Sequence, residues 1–202
     1  MTPTTPNDSP LELSPGLTVR GIRPPLRLRD FKLIAFDMDS TLIAIECIDE
    51  IADMQGIKPQ VAAITARSMA GELDFTASLR ERVALLEGLP LSALEQVYRE
   101  RLKLMPGARE LVRACRDAGI RTLLISGGFT FFTDRLRDEL GLDHAVANEL
   151  EVVDGKVTGV AVEPIVDAQR KADLLKELAH KEGLRLEQTI AVGDGANDLP
   201  ML

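Results

Sequence analysis

The hydrophobic pattern after residue 30 alternates between short apolar runs and longer amphipathic stretches. Three apolar runs rich in strand-forming residues predict buried strands at 31–36, 120–125 and 189–192. Between these runs, the helical period appears at 106–118, 129–140 and 167–182. Strands that alternate with helices predict an α/β fold with a parallel sheet.

A long insertion separates the first two predicted strands. Its hydrophobic pattern, punctuated by glycine and proline, predicts helices at 46–55, 59–69, 74–87 and 91–103. We therefore expect a core of 31–44 and 106–202, with 45–105 forming a helical cap rooted beside the strand ends. Within the core, two β-branched runs around Asp154-Gly155 predict a hairpin over 145–162.

The first 30 residues differ from the rest of the chain. They hold six of the eleven prolines, together with four arginines. This composition predicts a flexible or extended arm. Asp8, Glu12 and the prolines argue against a transit peptide.

Composition narrows the class of function. The net charge of −8 and the aromatic content of 3%, with no Trp, argue against binding to nucleic acid or to an anionic membrane. There is no apolar run of about 18 residues, so no membrane span is expected. The two cysteines, Cys47 and Cys115, form no CxxC motif, which favours a reducing, cytoplasmic location.

The first predicted strand ends in Asp37-Met38-Asp39-Ser40-Thr41. Residues two apart in a strand-to-loop turn can point the same way, which would bring the two carboxylates together. Asp37 can attack phosphorus, and Asp39 can exchange a proton with the leaving oxygen and then with water. Because neighbouring carboxylates repel, the pair implies a divalent metal, and oxygen ligands favour Mg²⁺. Alone, the pair is also compatible with solvated loop aspartates.

Three further motifs carry the same kind of chemistry. The second strand ends in Ser126-Gly127-Gly128-Phe129, where a hydroxyl and accessible backbone could hold an anion, although the motif taken alone favours a simple helix cap with a flexible turn. Lys171, in the last predicted helix, could neutralise a phosphoryl group or be an exposed lysine. The third strand leads into a loop in which Asp194 can bind metal and Asn197 can bind phosphate.

The four motifs, in this order and at these strand ends, resemble the haloacid dehalogenase superfamily over about 31–202. Within it, they look like the phosphatases that act on phosphoserine. The resemblance implies a Rossmann-like core with a cap after the first strand, and hydrolysis through a phosphoaspartate on Asp37 with Asp39 as general acid and base. It further implies Mg²⁺ held by the Asp37 carboxylate, the Asp39 backbone carbonyl and Asp194. The phosphate ligands would be Ser126, Gly127, Gly128 and Lys171, and Asn197 would contact the phosphate or support its loop.

The resemblance also assigns residues in the cap. Glu46 would bind a substrate ammonium group, Arg82 a carboxylate, and Phe75 and Met69 would cover the site. Each has a simpler interpretation, because Phe75 belongs to an ordinary apolar helix stripe and the charges could be solvated. Superfamily members continue beyond the position of Leu202 through at least one further strand and helix, so the core is expected to be shortened there.

Three other functions compete with phosphoserine hydrolysis. An aspartyl-phosphate enzyme could transfer the phosphoryl group to an alcohol such as homoserine. A related phosphatase could act on a phosphorylated sugar or amine. A catalytically inactive protein could bind phosphate only, although every ionisable member of the motifs is present.

Overall fold

The computed structural model describes residues 11–15, 17–19 and 27–202. Its strands are β1 (Leu11–Ser14), β2 (Leu17–Val19), β3 (Leu33–Phe36), β4 (Arg121–Phe129), β5 (His144–Val153), β6 (Lys156–Val162) and β7 (Thr189–Val192). Its α-helices are α1 (Cys47–Met54), α2 (Lys58–Met69), α3 (Phe75–Ala84), α4 (Leu91–Glu100), α5 (Ala108–Asp117), α6 (Thr130–Leu140) and α7 (Ala168–Lys181).

The centre of the fold is a five-stranded sheet in the order β6-β5-β4-β3-β7. β3 runs parallel to both of its neighbours, and Phe36 lies opposite Leu124 on one side and Val192 on the other. β4 and β5 are also parallel, whereas β6 returns antiparallel to β5. The predicted α/β fold with a parallel sheet is confirmed, and so is the hairpin that ends in β6.

Both faces of β3 are covered, which explains its unbroken apolar sequence. Leu33 and Ala35 belong to a hydrophobic cluster with α7, and Ile34 and Phe36 belong to a larger cluster on the opposite face. All four residues are buried. A parallel strand buried on both sides cannot show the polar alternation of a half-exposed strand.

Helices α1 to α4 lie between β3 and α5 in the chain and share the larger cluster with the core. Their contributions to it include Leu79, Val83, Leu94 and Val97. α2 is the exception, since it buries only Val61. The insertion is therefore fixed to the core mainly through its other helices.

Main-chain hydrogen bonds also fix the insertion to the β5–β6 hairpin. The Gly88 N–H donates to the Val157 carbonyl at 2.8 Å, and the Val157 N–H donates to the Leu89 carbonyl at 2.8 Å. The Leu91 N–H donates to the Gly155 carbonyl at 3.0 Å. The segment between α3 and α4 thus continues the hydrogen bonding of the hairpin, which limits how far these helices can move from the core.

The predicted N-terminal arm lies partly outside the described residues, at 1–10, 16 and 20–26. Its described part contains the antiparallel pair β1–β2, which the sequence pattern did not predict. Among the described residues, no helix combines the length and hydrophobicity needed to cross a membrane.

Candidate active site

The sheet brings the strand-end motifs to one edge. Asp37 directly follows β3, and its N–H donates to the Val192 carbonyl at 2.9 Å. Asp194 stands two residues beyond Val192, in the loop after β7. Because Phe36 is level with both Leu124 and Val192, the residues that follow these three positions lie at the same edge of the sheet. This is the edge at which open α/β sheets bind ligands.

A buried lysine joins two of these segments. Lys171, on α7, is 1% exposed, and its Nζ donates to Asp37 Oδ1 at 2.6 Å and to Asp198 Oδ1 at 2.8 Å. Asp198 also accepts from the Gly195 N–H through Oδ2 at 3.0 Å. A buried lysine and its carboxylates require each other, since any one alone would be a desolvated charge. Lys171 is therefore not an exposed helix lysine.

The same carboxylates form a candidate metal site. Asp37, Asp194 and Asp198 each offer an oxygen, and these oxygens lie within 4.8 Å of one another. Three carboxylates and one ammonium leave two negative charges uncompensated, which matches one divalent cation. A donor set made only of oxygen suits Mg²⁺. Residues present in the structure therefore fit this ion.

The cluster contains the carboxylates of Asp37 and Asp194, which are both predicted metal ligands. The Asp39 carboxylate is not part of the cluster, so any contribution of Asp39 would come from its backbone carbonyl. Asp198 is part of the cluster and was not predicted. Both of its oxygens already accept hydrogen bonds, which leaves Asp37 and Asp194 freer to bind an ion. Asp194 is oriented by Thr41, whose hydroxyl donates to Asp194 Oδ1 at 2.6 Å.

Burial shifts the titration of the two paired aspartates. Desolvation raises the pKa of Asp37 to about 6, against the opposing charge of Lys171. Desolvation also raises the pKa of Asp39 to about 7, helped by the negative charge of Glu46. The backbone turns sharply after Asp39, where Ser40 adopts a φ of +56°, a conformation that few residues other than glycine accept.

The glycines after β4 allow the backbone to approach its neighbours closely. A Cβ at Gly127 would lie 2.8 Å from Cζ of Phe75, on the first turn of α3. A Cβ at Gly128 would lie 2.9 Å from Met38 and 3.1 Å from Asp39 Oδ2. The Gly128 N–H donates to Ser126 Oγ at 2.8 Å. No larger residue fits at either glycine without displacing these neighbours.

A cavity of about 430 Å³ lies between the strand ends and the cap. It is lined by every predicted site residue except Lys171, which lies behind Asp37. The predicted residues that line it are Asp37, Asp39, Glu46, Met69, Phe75, Arg82, Ser126, Gly127, Gly128, Asp194 and Asn197. Further lining comes from Ile48, Leu79, Phe129 and Gly195.

The cap contributes one anion and one cation to this cavity. Glu46 immediately precedes α1 and accepts from the Ser40 hydroxyl at 2.7 Å. Burial raises the pKa of Glu46 and lowers that of Arg82. Within the described part of the chain, Arg82 forms no ion pair within 4 Å and donates only to the Ser78 carbonyl of its own helix, at 3.3 Å. Its guanidinium therefore remains available to a ligand.

Some residues of the site were not predicted from the sequence. Asp198 could have been predicted as a second carboxylate in the same loop, four positions after Asp194. Thr41 could have been predicted because it belongs to the first motif. Asn148 is fully buried and donates to the Gly127 carbonyl, but its sequence context gave less indication of a role in the site. It is an amide within the segment 145–162 that the sequence predicts to form a hairpin.

The chain belongs to the haloacid dehalogenase-like hydrolase family, whose match covers residues 34–202. It is 57% identical to a phosphoserine phosphatase of Polaromonas sp. and 53% identical to one of Albidiferax ferrireducens. Each alignment covers 96% of this chain and 84% of the relative.

Solved structures give the same picture. A substrate-bound phosphoserine phosphatase complex superposes with a TM-score of 0.78 at 42% identity, covering 85% of this chain and 81% of that one. A probable phosphoserine phosphatase from Vibrio cholerae has a TM-score of 0.78 at 50% identity, covering 86% of this chain. This chain spans only 54% of the Vibrio cholerae chain.

Proposed function

We propose that this protein hydrolyses O-phosphoserine to serine and inorganic phosphate through a phosphoaspartate intermediate, with Mg²⁺ as cofactor. The observation that carries the proposal is that one cavity brings together the groups needed for phosphoryl transfer and the two charges needed to bind an amino acid. Asp37 and Asp194 lie at its floor with Lys171 behind Asp37, and Glu46 and Arg82 face it from the cap. The names of the relatives point to the same substrate.

In the first half of the reaction, the phosphoryl group moves from serine to the enzyme. The Asp37 carboxylate attacks phosphorus, so that an oxygen–phosphorus bond forms while the bond from phosphorus to the serine oxygen breaks. Asp39 donates a proton to the departing serine oxygen. Lys171 holds Asp37 in place and compensates charge on the phosphoryl oxygens.

The second half releases phosphate. A water molecule gives its proton to Asp39 and attacks the phosphorus of the phosphoaspartate. The bond between phosphorus and Asp37 breaks, which regenerates the carboxylate and the protonated Asp39. Phosphoryl transfer depends mainly on position and charge compensation, and a rigid set of buried groups supplies both.

Mg²⁺ would be held by the carboxylates of Asp37 and Asp194 together with the backbone carbonyl of Asp39. When bound, it supplies positive charge that neutralises the phosphoryl oxygens. Asp198 would keep Lys171 and the loop around Gly195 in position.

The remaining residues would recognise the rest of the substrate. Ser126, the backbone of Gly127 and Gly128, and Asn197 would bind phosphate oxygens. In the cap, Glu46 would pair with the substrate ammonium and Arg82 with its carboxylate in a bidentate arrangement. Phe75 and Met69 would exclude water from above. One anion and one cation are what a zwitterionic amino acid requires.

The proposed substrate indicates the metabolic step in which the protein would act. The protein would act on a small molecule in the last step of serine biosynthesis, without nucleic acid or membrane as partner. A cytoplasmic location is supported by the two cysteines, which are both buried and unpaired.

Phosphate release from phosphoserine tests this proposal. We expect turnover with Mg²⁺, loss of turnover when the ion is chelated, and recovery when Mg²⁺ is restored. Phosphoethanolamine and a phosphorylated sugar should be poorer substrates by kcat/KM. A preference for either would overturn the assigned substrate, and formation of phosphohomoserine when homoserine is added would favour a phosphotransferase.

A further inference from the structure

A buried asparagine connects the two segments proposed to hold phosphate. Asn148 lies in β5 and is 0% exposed. Its Nδ2 donates to the Gly127 carbonyl at 2.8 Å, and its Oδ1 accepts from the Val166 N–H at 2.7 Å. Because one partner is a main-chain acceptor and the other a main-chain donor, the amide has only one satisfactory orientation.

The local register explains why Gly127 needs such a partner. Ile125 pairs with Val146 across the ladder between β4 and β5, but the next pair is Phe129 with Asn148. Between these two pairs, β4 advances by four residues and β5 by only two. The segment around Gly127 therefore bulges out of the ladder. A half-buried main-chain carbonyl that has lost its ladder partner needs another donor, and the Asn148 amide supplies it.

The second contact of Asn148 reaches the helix that carries the buried lysine. Val166 precedes Asp167, whose side chain caps α7 by accepting from the Arg170 N–H at 2.8 Å. Lys171 lies in the first turn and a half of this helix. One amide thus bridges the loop that presents Ser126 and Gly127 and the start of the helix that presents Lys171.

We infer that Asn148 is a positioning residue for phosphate binding. It fixes the spacing between the bulged segment of β4 around Gly127 and the start of α7. This inference rests on the proposed function, in which Ser126, Gly127 and Lys171 bind the phosphoryl group. Asn148 itself does not line the cavity. It acts through the two main-chain groups that it holds.

Substitution separates this role from general stability. Asn148→Ala removes both contacts without introducing charge. Asn148→Asp keeps the shape and the acceptor for Val166, but it places an acceptor against the Gly127 carbonyl. Displacement of a binding group by as little as 1 Å can reduce rates by about 100-fold, so we expect kcat/KM to fall by about 10- to 100-fold in both variants.

The decisive measurement is binding of inorganic phosphate in the presence of Mg²⁺. It can be followed by the rise in melting temperature with phosphate concentration, which needs no turnover. We expect the dissociation constant for phosphate to increase by about tenfold or more in both variants. If the Asp variant does not fold, the neutral Ala variant decides.

Thr122→Val is the matched control. Thr122 is a buried polar residue at the opposite end of β4, where its hydroxyl donates to Asp143 at 2.9 Å. Its loss should lower the melting temperature and leave phosphate binding unchanged. If Asn148→Ala likewise lowers only the melting temperature, the inference is overturned while the proposed function stands. If the unmodified protein neither binds phosphate nor hydrolyses phosphoserine, the proposed function fails first.

Discussion

The floor and the roof of the cavity are built differently. On the floor, Asp37 is 6% exposed, Lys171 is 1% exposed, and each lies in a network of short hydrogen bonds. On the roof, Met69 is 85% exposed, and Arg82 has no ion pair within 4 Å among the described residues. The charged groups of the floor are held by one another, whereas no such network holds the Arg82 guanidinium among the described residues.

This difference matches two tasks. A phosphoryl group is common to many substrates, and its transfer benefits from groups that do not reorganise during the reaction. The rest of the substrate must be selected, and selection is strongest when a ligand pairs with charges that are otherwise unpaired. The comparison predicts that floor variants fail on every substrate, whereas roof variants fail on some.

The largest expected effect comes from Asp37→Asn. An amide cannot form the acyl phosphate, so phosphate release should fall by at least about 10⁴-fold for all substrates. Asp138→Asn is the matched control, because that side chain is 72% exposed and does not line the cavity, and the activity of this variant should be unchanged. Substantial turnover by folded Asp37→Asn would refute Asp37 as the nucleophile.

Lys171→Met should have the largest effect on stability. Its removal leaves the buried carboxylates of Asp37 and Asp198 without their cation, at an expected loss of about 3–5 kcal/mol in unfolding free energy. Urea denaturation would measure this loss. Lys176→Met, on an exposed position of the same helix, should change stability little. Equal stability of the two variants would contradict the charge network described for the floor.

Arg82→Ala sharpens the comparison on the roof. The transition state for phosphoserine should lose about 2–5 kcal/mol, measured through kcat/KM, because the substrate carboxylate would lose its partner. Phosphoethanolamine has no carboxylate and should be affected far less. Arg80→Ala is the control, since Arg80 lies on the same helix but pairs with Glu163 and does not line the cavity. Equal losses on both substrates would instead indicate a structural role for Arg82.

The smallest effect is expected from Met69→Ala. Because this side chain is exposed, unfolding free energy should change by no more than about 0.5 kcal/mol. The KM for phosphoserine should rise by about fivefold if the methionine covers bound substrate and buries apolar surface there. An unchanged KM would remove Met69 from the binding site and leave Phe75 as the aromatic cover.

Much of the fold could be predicted because its signals are local. The stretch predicted at 106–118 is α5 at Ala108–Asp117, and the strand predicted at 120–125 is the start of β4. The extension of β4 to Phe129 was not predicted, because Ser126-Gly127-Gly128 indicates a turn by composition. Pairing with β5 beyond a bulge keeps this segment in the sheet.

The amino-acid sequence by itself determined the order of strands and helices after residue 30 and placed Asp37 and Asp194 just beyond strand ends. Both follow from periodicity, which each segment carries independently of the others. Only the tertiary structure decided that Lys171 is buried against Asp37, 134 residues earlier in the chain, and that Asp198 joins the carboxylates of Asp37 and Asp194. Burial and charge pairing depend on contacts between distant segments, and a local pattern does not contain them.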